Sequence, residues 1–342
     1  MNYKTEPTHD HKRRTNNTGV LIMNLGTPSA LDYFSLRRYL KEFLSDPRVV
    51  EGNRIKWWLV LNIILLSFIP FRSAKNYKKI WNTDKNESPL LTFTRSQGEK
   101  LQKAYEGEDV IVEYAMRYGT PSIEQKINAL KAKGCKKILL FPLYPQYSAV
   151  TTASTFDASF AALKKLRWMP AIKTAKPYYN NKAYTNALCA SIKKHMKDEG
   201  KNFNTTTLVF SYHGIPQKYF QSGDPYPCHC VKTTALIKET LKLSDDTIQT
   251  AYQSRFGREE WVKPYLDATL KEMPQKGVKD IIIISPAFAS DCVETLEELS
   301  MESKETFLEA GGKSFSVVPC LNDSDIGINM LKSVIDEELQ GF

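Results

Sequence analysis

The sequence has no Cys-x-x-Cys pair. Its cysteines stand at 135, 189, 228, 230, 292 and 320, and only Cys228 and Cys230 are near neighbours. That spacing argues against a secreted disulfide framework and a structural zinc site, and it suits a reducing cytosol. No G-x-G-x-x-G follows the first strand-like run and no G-x-x-x-x-G-K-[ST] occurs, which disfavours nicotinamide binding and P-loop hydrolysis. A G-x-S-x-G elbow is also missing. The net charge is +9, yet the basic residues are dispersed and form no nucleic-acid stripe. The opening MNYKTEPTHDHKRRTNNT has no apolar centre, so residues 1–17 are expected to form an unordered tail rather than a signal peptide. Only one long apolar run occurs, WWLVLNIILLSFIPF, Trp57 to Phe71. As a helix it would reach roughly 22 Å, short of a hydrocarbon core of about 30 Å. With Lys56 and Arg72 at its ends it suits a membrane interface or a large apolar ligand; a buried core helix is the alternative.

What is present is a repeating α/β pattern. Continuous apolar segments at 19–25, 110–116, 136–143, 206–212, 247–253 and 279–286 read as strands. Helical patterns fit 35–46, 95–106, 122–133, 154–166, 181–199, 230–243, 259–273, 294–309 and 324–339. Alternation of this kind predicts parallel sheets covered on both faces. The two halves also match in order. MNLGTP (23–28) answers SYHGIP (211–216), MRYG (116–119) answers SRFG (254–257), and KGCKKI (133–138) answers KGVKDI (276–281). This predicts two similar doubly wound α/β domains meeting near Pro177, with a ligand cleft at the carboxyl ends of their strands.

Four groups of residues could carry chemistry. His213 ends a strand, and Gly214 allows a sharp turn after it; an imidazole there can bind metal or take a proton, although a packed histidine is the commoner reason for one. GDPYPCHC (223–230) builds a rigid turn, but its two cysteines have no further thiolates nearby to complete a metal site. Glu294, Glu298 and Glu302 recur every four residues, a stripe of like charge that is mildly unfavourable unless a cation or a solvated face compensates. Lys75, Lys78 and Lys79 follow the apolar run and Arg117-Tyr118 ends the second strand. An apolar wall of Trp57, Leu61, Leu65 and Phe71 with a cationic rim suits a flat hydrophobic acid; a snorkelling surface helix explains the same pattern.

These residues have a familiar order. LIMNLGTP, RRYLKEFLSDPRVV, SPLLTFTRSQ, AMRYGTPS, LFPLYPQYSAVTT, SYHGIPQKYFQSGDPYPC, YQSRFGREEW and SDCVETLEEL together make the chain resemble the ferrochelatases over roughly residues 18 to 340. Ferrochelatases are lyases that insert ferrous iron into a porphyrin to make haem. The resemblance, bacterial in type, implies two chelatase-type domains with four-stranded parallel sheets, over 18–177 and 178–321. It implies a terminal helix, 322–342, packing back on the first domain. His213 and Glu294 would be the catalytic, iron-binding pair, with Glu298 and Glu302 as an acidic path for metal or protons. The porphyrin wall would comprise Leu25, Trp57, Leu61, Leu65, Phe71, Lys78, Lys79, Arg117 and Tyr118. Residues 57–71 would be the apolar lip that touches the membrane and admits the porphyrin. Partners would be protoporphyrin IX and Fe2+, with no nucleic acid, and the location cytoplasmic and peripheral to the inner membrane.

Two departures bear on these expectations. The family often has histidine where this chain has Cys292. The coproporphyrin-using branch has tyrosine where this chain has Leu25, so protoporphyrin is the expected substrate. The cysteine-rich tail that carries a [2Fe–2S] cluster in some members has no match here, so no resident cofactor is expected and Fe2+ is a substrate. The rivals are a coproporphyrin, cobalt or nickel chelatase, a non-catalytic tetrapyrrole carrier, and a two-domain sugar- or nucleotide-binding protein.

Overall fold

The computed structural model describes residues 17–257 and 259–342. The expected tail therefore lies outside the described residues except for Asn17. Eight strands run in chain order: β1 Thr18–Gly26, β2 Val110–Tyr118, β3 Lys137–Pro142, β4 Ala171–Thr174, β5 Thr207–His213, β6 Ile248–Gln253, β7 Asp280–Ile284 and β8 Ser314–Val317. They form two four-stranded sheets, ordered β2-β1-β3-β4 and β6-β5-β7-β8, with every pairing parallel.

The strands alternate between two cores. Leu21, Met23, Ile138 and Leu140 pack outward under the helix Ile123–Ala132, and Val209, Ile281 and Ile283 do the same in the second sheet. Val20, Ile22, Leu139 and Phe141 face the other way and join Leu208, Phe210, Ile282 and Ile284 in one shared core. Period-two alternation explains why continuous apolar runs were needed: both faces are covered. The helices Lys182–Asp198 and Asp325–Leu339 fill that shared core with Leu188, Ile192, Leu331 and Ile335. The last helix also meets the first half through Tyr105, whose hydroxyl donates to Asp336 at 2.7 Å.

Two features depart from the sequence expectation. Strands β4 and β8 are four-residue edge strands, AIKT and SFSV, too short and too polar to stand out. The helix containing the apolar run is longer than that run: it extends over Arg54–Ile80, 27 residues, and is long and apolar enough to cross a membrane by length and composition. One face is nevertheless committed to protein, through Leu61, Leu66, Pro70 and Tyr77. Its middle, Val60–Leu65, is π-helical. Pro70 cannot donate a backbone hydrogen bond to the carbonyl of Leu66. Tyr33 supplies the missing donor, its hydroxyl reaching that carbonyl at 2.9 Å.

Candidate active site

His213 closes β5 directly opposite Gln253 of β6. The next backbone N–H, of Gly214, donates to the Gln253 carbonyl at 2.8 Å. A Cβ on Gly214 would lie 3.0 Å from both that carbonyl and the Trp261 ring, so any larger residue would crowd the turn. The imidazole Nδ1 lies 2.7 Å from the Gly214 carbonyl. A carbonyl only accepts, so Nδ1 carries the hydrogen and Nε2 keeps its lone pair for a proton or a metal. Trp261 stands beside the ring, 6.4 Å between centroids.

The acidic helix approaches from the end of β7. Asp291 fixes its entry: Oδ1 accepts from Thr295 and Oδ2 from the side chain of Asn322. The segment Glu294–Ser303 is π-helical before it becomes α-helical at Lys304–Glu309. Such segments are rare and concentrate at functional sites. Glu298 turns toward β6. Its carboxylate accepts from the Ser254 amide at 2.8 Å, the Ser254 hydroxyl at 2.5 Å and the Gln253 amide at 3.2 Å. Burial pushes this carboxyl above the usual range. His213 opposes that rise and Glu294 adds to it, so the imidazole and both carboxylates share one electrostatic neighbourhood.

Glu294 lines a hollow of about 10 Å3 with Leu25, Gly26, Tyr39, Tyr77 and Cys292. That is room for about one water. Burial pushes the Tyr77 phenol and the Cys292 thiol up, and Glu294 reinforces both shifts. Gly26 is obligatory in this wall, since a Cβ there would fall 1.8 Å from the Tyr118 carbonyl. Among the described residues, no three of His, Cys, Asp and Glu converge as a metal-ligand set.

The acidic stripe divides along its length. Glu302 is raised by burial and by Glu297, while Lys79 and Arg72 pull it down. Glu297, which the four-residue spacing passes over, is 2% exposed and accepts from Lys79 at 2.5 Å and Asn76 at 3.1 Å. Only its place beside Glu298 could have marked it. Lys79 was expected to face a porphyrin carboxylate; it is instead held by Glu297. Lys78 is exposed.

The expected porphyrin wall also divides. Leu25 lies at the hollow, while Trp57, Leu61 and Leu65 pack inward with it against Tyr39 and Tyr118. The Trp57 indole donates to the Leu44 carbonyl at 2.7 Å. Leu61 is 1% exposed, which leaves it no surface to offer, whereas Phe71 points outward beside Tyr33. Arg117 and Tyr118 are held by protein partners. Tyr118 is fully buried, and both side chains donate to Asp46. Arg117 also donates to the carbonyl and hydroxyl of Ser154. Burial works against the charge on Asp46, but the donors from Ser154, Arg48, Tyr118 and Arg117 outweigh it and hold the carboxyl below its usual range.

GDPYPCHC resolves as a clamp between the halves. Asp224 accepts from the Ser148 hydroxyl and the Ala149 amide, both at 2.8 Å. His229 accepts the Tyr147 amide on Nδ1 and stacks on Tyr179 at 3.7 Å. Cys230 is buried in the following helix and Cys228 is exposed, both as free thiols.

Known proteins resemble this chain in sequence and in fold. The family model described as Ferrochelatase matches residues 17–339. A ferrochelatase of Agrobacterium fabrum is 50% identical over 97% of both chains. One from Francisella tularensis subsp. holarctica is 47% identical over 96% of this chain and 98% of its own. Among solved structures, SirB from Bacillus subtilis with Fe3+ aligns at a TM-score of 0.55 and 12% identity over 94% of this chain and 95% of its own, a likeness of fold. Matched along nearly its whole length by the family model and by relatives at about half identity, the chain belongs to the ferrochelatase family.

Proposed function

We propose that this protein inserts ferrous iron into protoporphyrin IX to form protohaem, the terminal step of haem synthesis. The observation that carries the reading is the imidazole of His213, with Nε2 left as an acceptor, paired across the strands with Gln253, whose side chain bonds both the Glu294 carbonyl and the Glu298 carboxylate. Metallation releases two pyrrole protons as Fe2+ enters the ring. His213 accepts the two protons in turn at Nε2, passing the first to the carboxylates of the acidic helix before taking the second, and Glu294 supplies negative charge toward the incoming cation. Imidazole and carboxylate together suit a divalent first-row metal. Glu298 and Glu302 continue the acidic path away from the hollow. Contacts at the rim of the cleft supply binding energy to bend the flat macrocycle and expose its nitrogen lone pairs.

The long helix Arg54–Ile80 supports a peripheral membrane contact on the cytoplasmic side. Trp58, Ile63, Ile64, Phe68 and Phe71 form its exposed apolar ridge, with Phe68 72% exposed. A helix with its other face packed on protein lies along an interface more readily than across one. Iron enters as substrate.

The test is anaerobic incubation of the purified protein with protoporphyrin IX and Fe2+, followed by the absorption spectrum. Haem bands are expected. Tight porphyrin binding without incorporation of Fe2+ or Zn2+ would identify a carrier. A preference for coproporphyrin, cobalt or nickel in the same assay would redirect the substrate assignment.

A further inference from the structure

Each half ties a side chain of its second strand to the helical stretch that follows its third strand. In the first sheet the backbone amide of Met116 meets the Pro121 carbonyl at 2.8 Å; in the second, Tyr252 meets Pro264 at 2.8 Å. Met116 pairs with Asn24 and Tyr252 with Tyr212, so Arg117 and Gln253, one residue further on, occupy equivalent places beyond the ends of equivalent pairs. The match of Arg117 with Arg255 suggested by the sequence is therefore displaced by two residues. Arg117 reaches the Ser154 carbonyl at 2.9 Å, just past the π-helical segment Ala149–Ala153. Gln253 reaches the Glu294 carbonyl at 3.0 Å, at the start of the π-helical segment that carries the acidic stripe.

Gln253 does more than its counterpart. It is 2% exposed, and both amide hydrogens are used, one on the Glu294 carbonyl and one on the Glu298 carboxylate. Its side-chain oxygen accepts from Ser211, two residues before His213 on β5, at 2.8 Å. Its own carbonyl receives the Gly214 amide that closes the His213 turn. Two acceptors on one side and a hydroxyl on the other leave the amide a single satisfactory orientation.

We propose that Gln253 is the positioning residue of the site: it sets the Glu294 and Glu298 segment of the acidic helix against the strand end that presents His213. This inference rests on the chelatase reading. Gln253 touches no substrate in the scheme; it acts through the groups it holds. Misplacement of a reacting group by about 1 Å can cost on the order of 10²-fold in rate. Glutamine is suited to the place because a carboxylate would face Glu298 with like charge, and an apolar side chain would strand both the carboxylate and the Ser211 hydroxyl.

The experiment compares wild type with Gln253→Leu, Gln253→Glu, Ser211→Ala, Glu298→Gln and the Gln253→Leu/Glu298→Gln pair. Metal incorporation is followed across pH, porphyrin affinity by fluorescence, and stability by urea melts across pH. Gln253→Leu is expected to lower kcat about 10- to 100-fold, with porphyrin Kd little changed. Gln253→Glu is expected to displace the pH profile toward higher pH, and Ser211→Ala to give a smaller loss of the same kind. The double variant should lose less than the product of the single losses, because both substitutions break one contact. Unchanged turnover and pH profile in Gln253→Leu and Gln253→Glu, a loss that tracks stability alone, or strictly multiplicative losses would each overturn the proposal. Should wild type itself incorporate no metal, the chelatase reading fails. Non-additive stability of the Gln253→Leu/Glu298→Gln pair would then still uphold the positioning role, and additive stability would overturn it.

Discussion

The two halves share a strand order, a parallel register and a π-helical segment beyond the third strand, yet they do different work. Where β1 carries Leu25 after the Asn24–Met116 pair, β5 carries His213 after the Tyr212–Tyr252 pair. Where the first π-helical segment reads AVTTA, the second reads ETLEELSMES. Arg117, locked between Asp46 and Ser154, stands where Gln253 bridges to Glu294 and Glu298. The backbone repeat supplies two facing platforms, and side chains at equivalent strand ends decide which is an apolar wall and which is titratable.

The strongest challenge to this division is a matched pair of substitutions. His213→Ala is expected to cut metal incorporation by at least about 10²-fold, with porphyrin binding largely kept. Leu25→Ala should instead weaken porphyrin KM with a modest effect on kcat. Steady-state kinetics with a fluorescence titration decides it, and equal kcat losses in both variants would erase the distinction between wall and centre.

Within the titratable half, Glu294→Gln should reduce turnover more than Glu302→Gln, because Glu294 lines the hollow while Glu302 shares its field with Glu297 and Lys79. Equal losses would point to diffuse charge rather than an ordered path.

A third effect is one of pH. Burial raises the Glu298 carboxyl above its unfolded value, so its ionised form costs stability at every pH above the folded pKa. As pH falls from there toward the unfolded pKa, the folded protein takes up the proton and that cost is relieved. The stability of Glu298→Gln relative to wild type should therefore improve as pH rises through this window and then level off. Urea melts across pH test this; a difference independent of pH would contradict it.

The smallest expected effect belongs to the first half. Tyr33→Phe removes the hydroxyl that serves the Leu66 carbonyl opposite Pro70, and should cost about 1 kcal/mol in thermal or urea unfolding. No loss would mean that carbonyl is satisfied by water.

Sequence pattern gave access to six of the eight strands, because their apolar runs report burial on both faces. AIKT and SFSV escaped it: at a sheet edge, four residues need little hydrophobicity. The long helix was underestimated because apolar character stops near Phe71 while helical hydrogen bonding continues to Ile80. His213, Glu294 and Glu298 are singled out as candidates by motif and spacing. Gln253 and Glu297 were not, since a polar residue inside an apolar strand or an acidic helix shows its purpose only when its partners are in place. The carboxylates that hold Arg117 and Lys79 stay hidden in the sequence for the same reason: a cation near an apolar surface looks available until its partner is seen.

Glu297 has almost no water around it, and the groups that answer its charge, Lys79 and Asn76, both belong to the long helix. Raising that helix would take both partners away from this carboxylate. The exposed apolar ridge and the acidic helix are thus joined through one buried carboxylate.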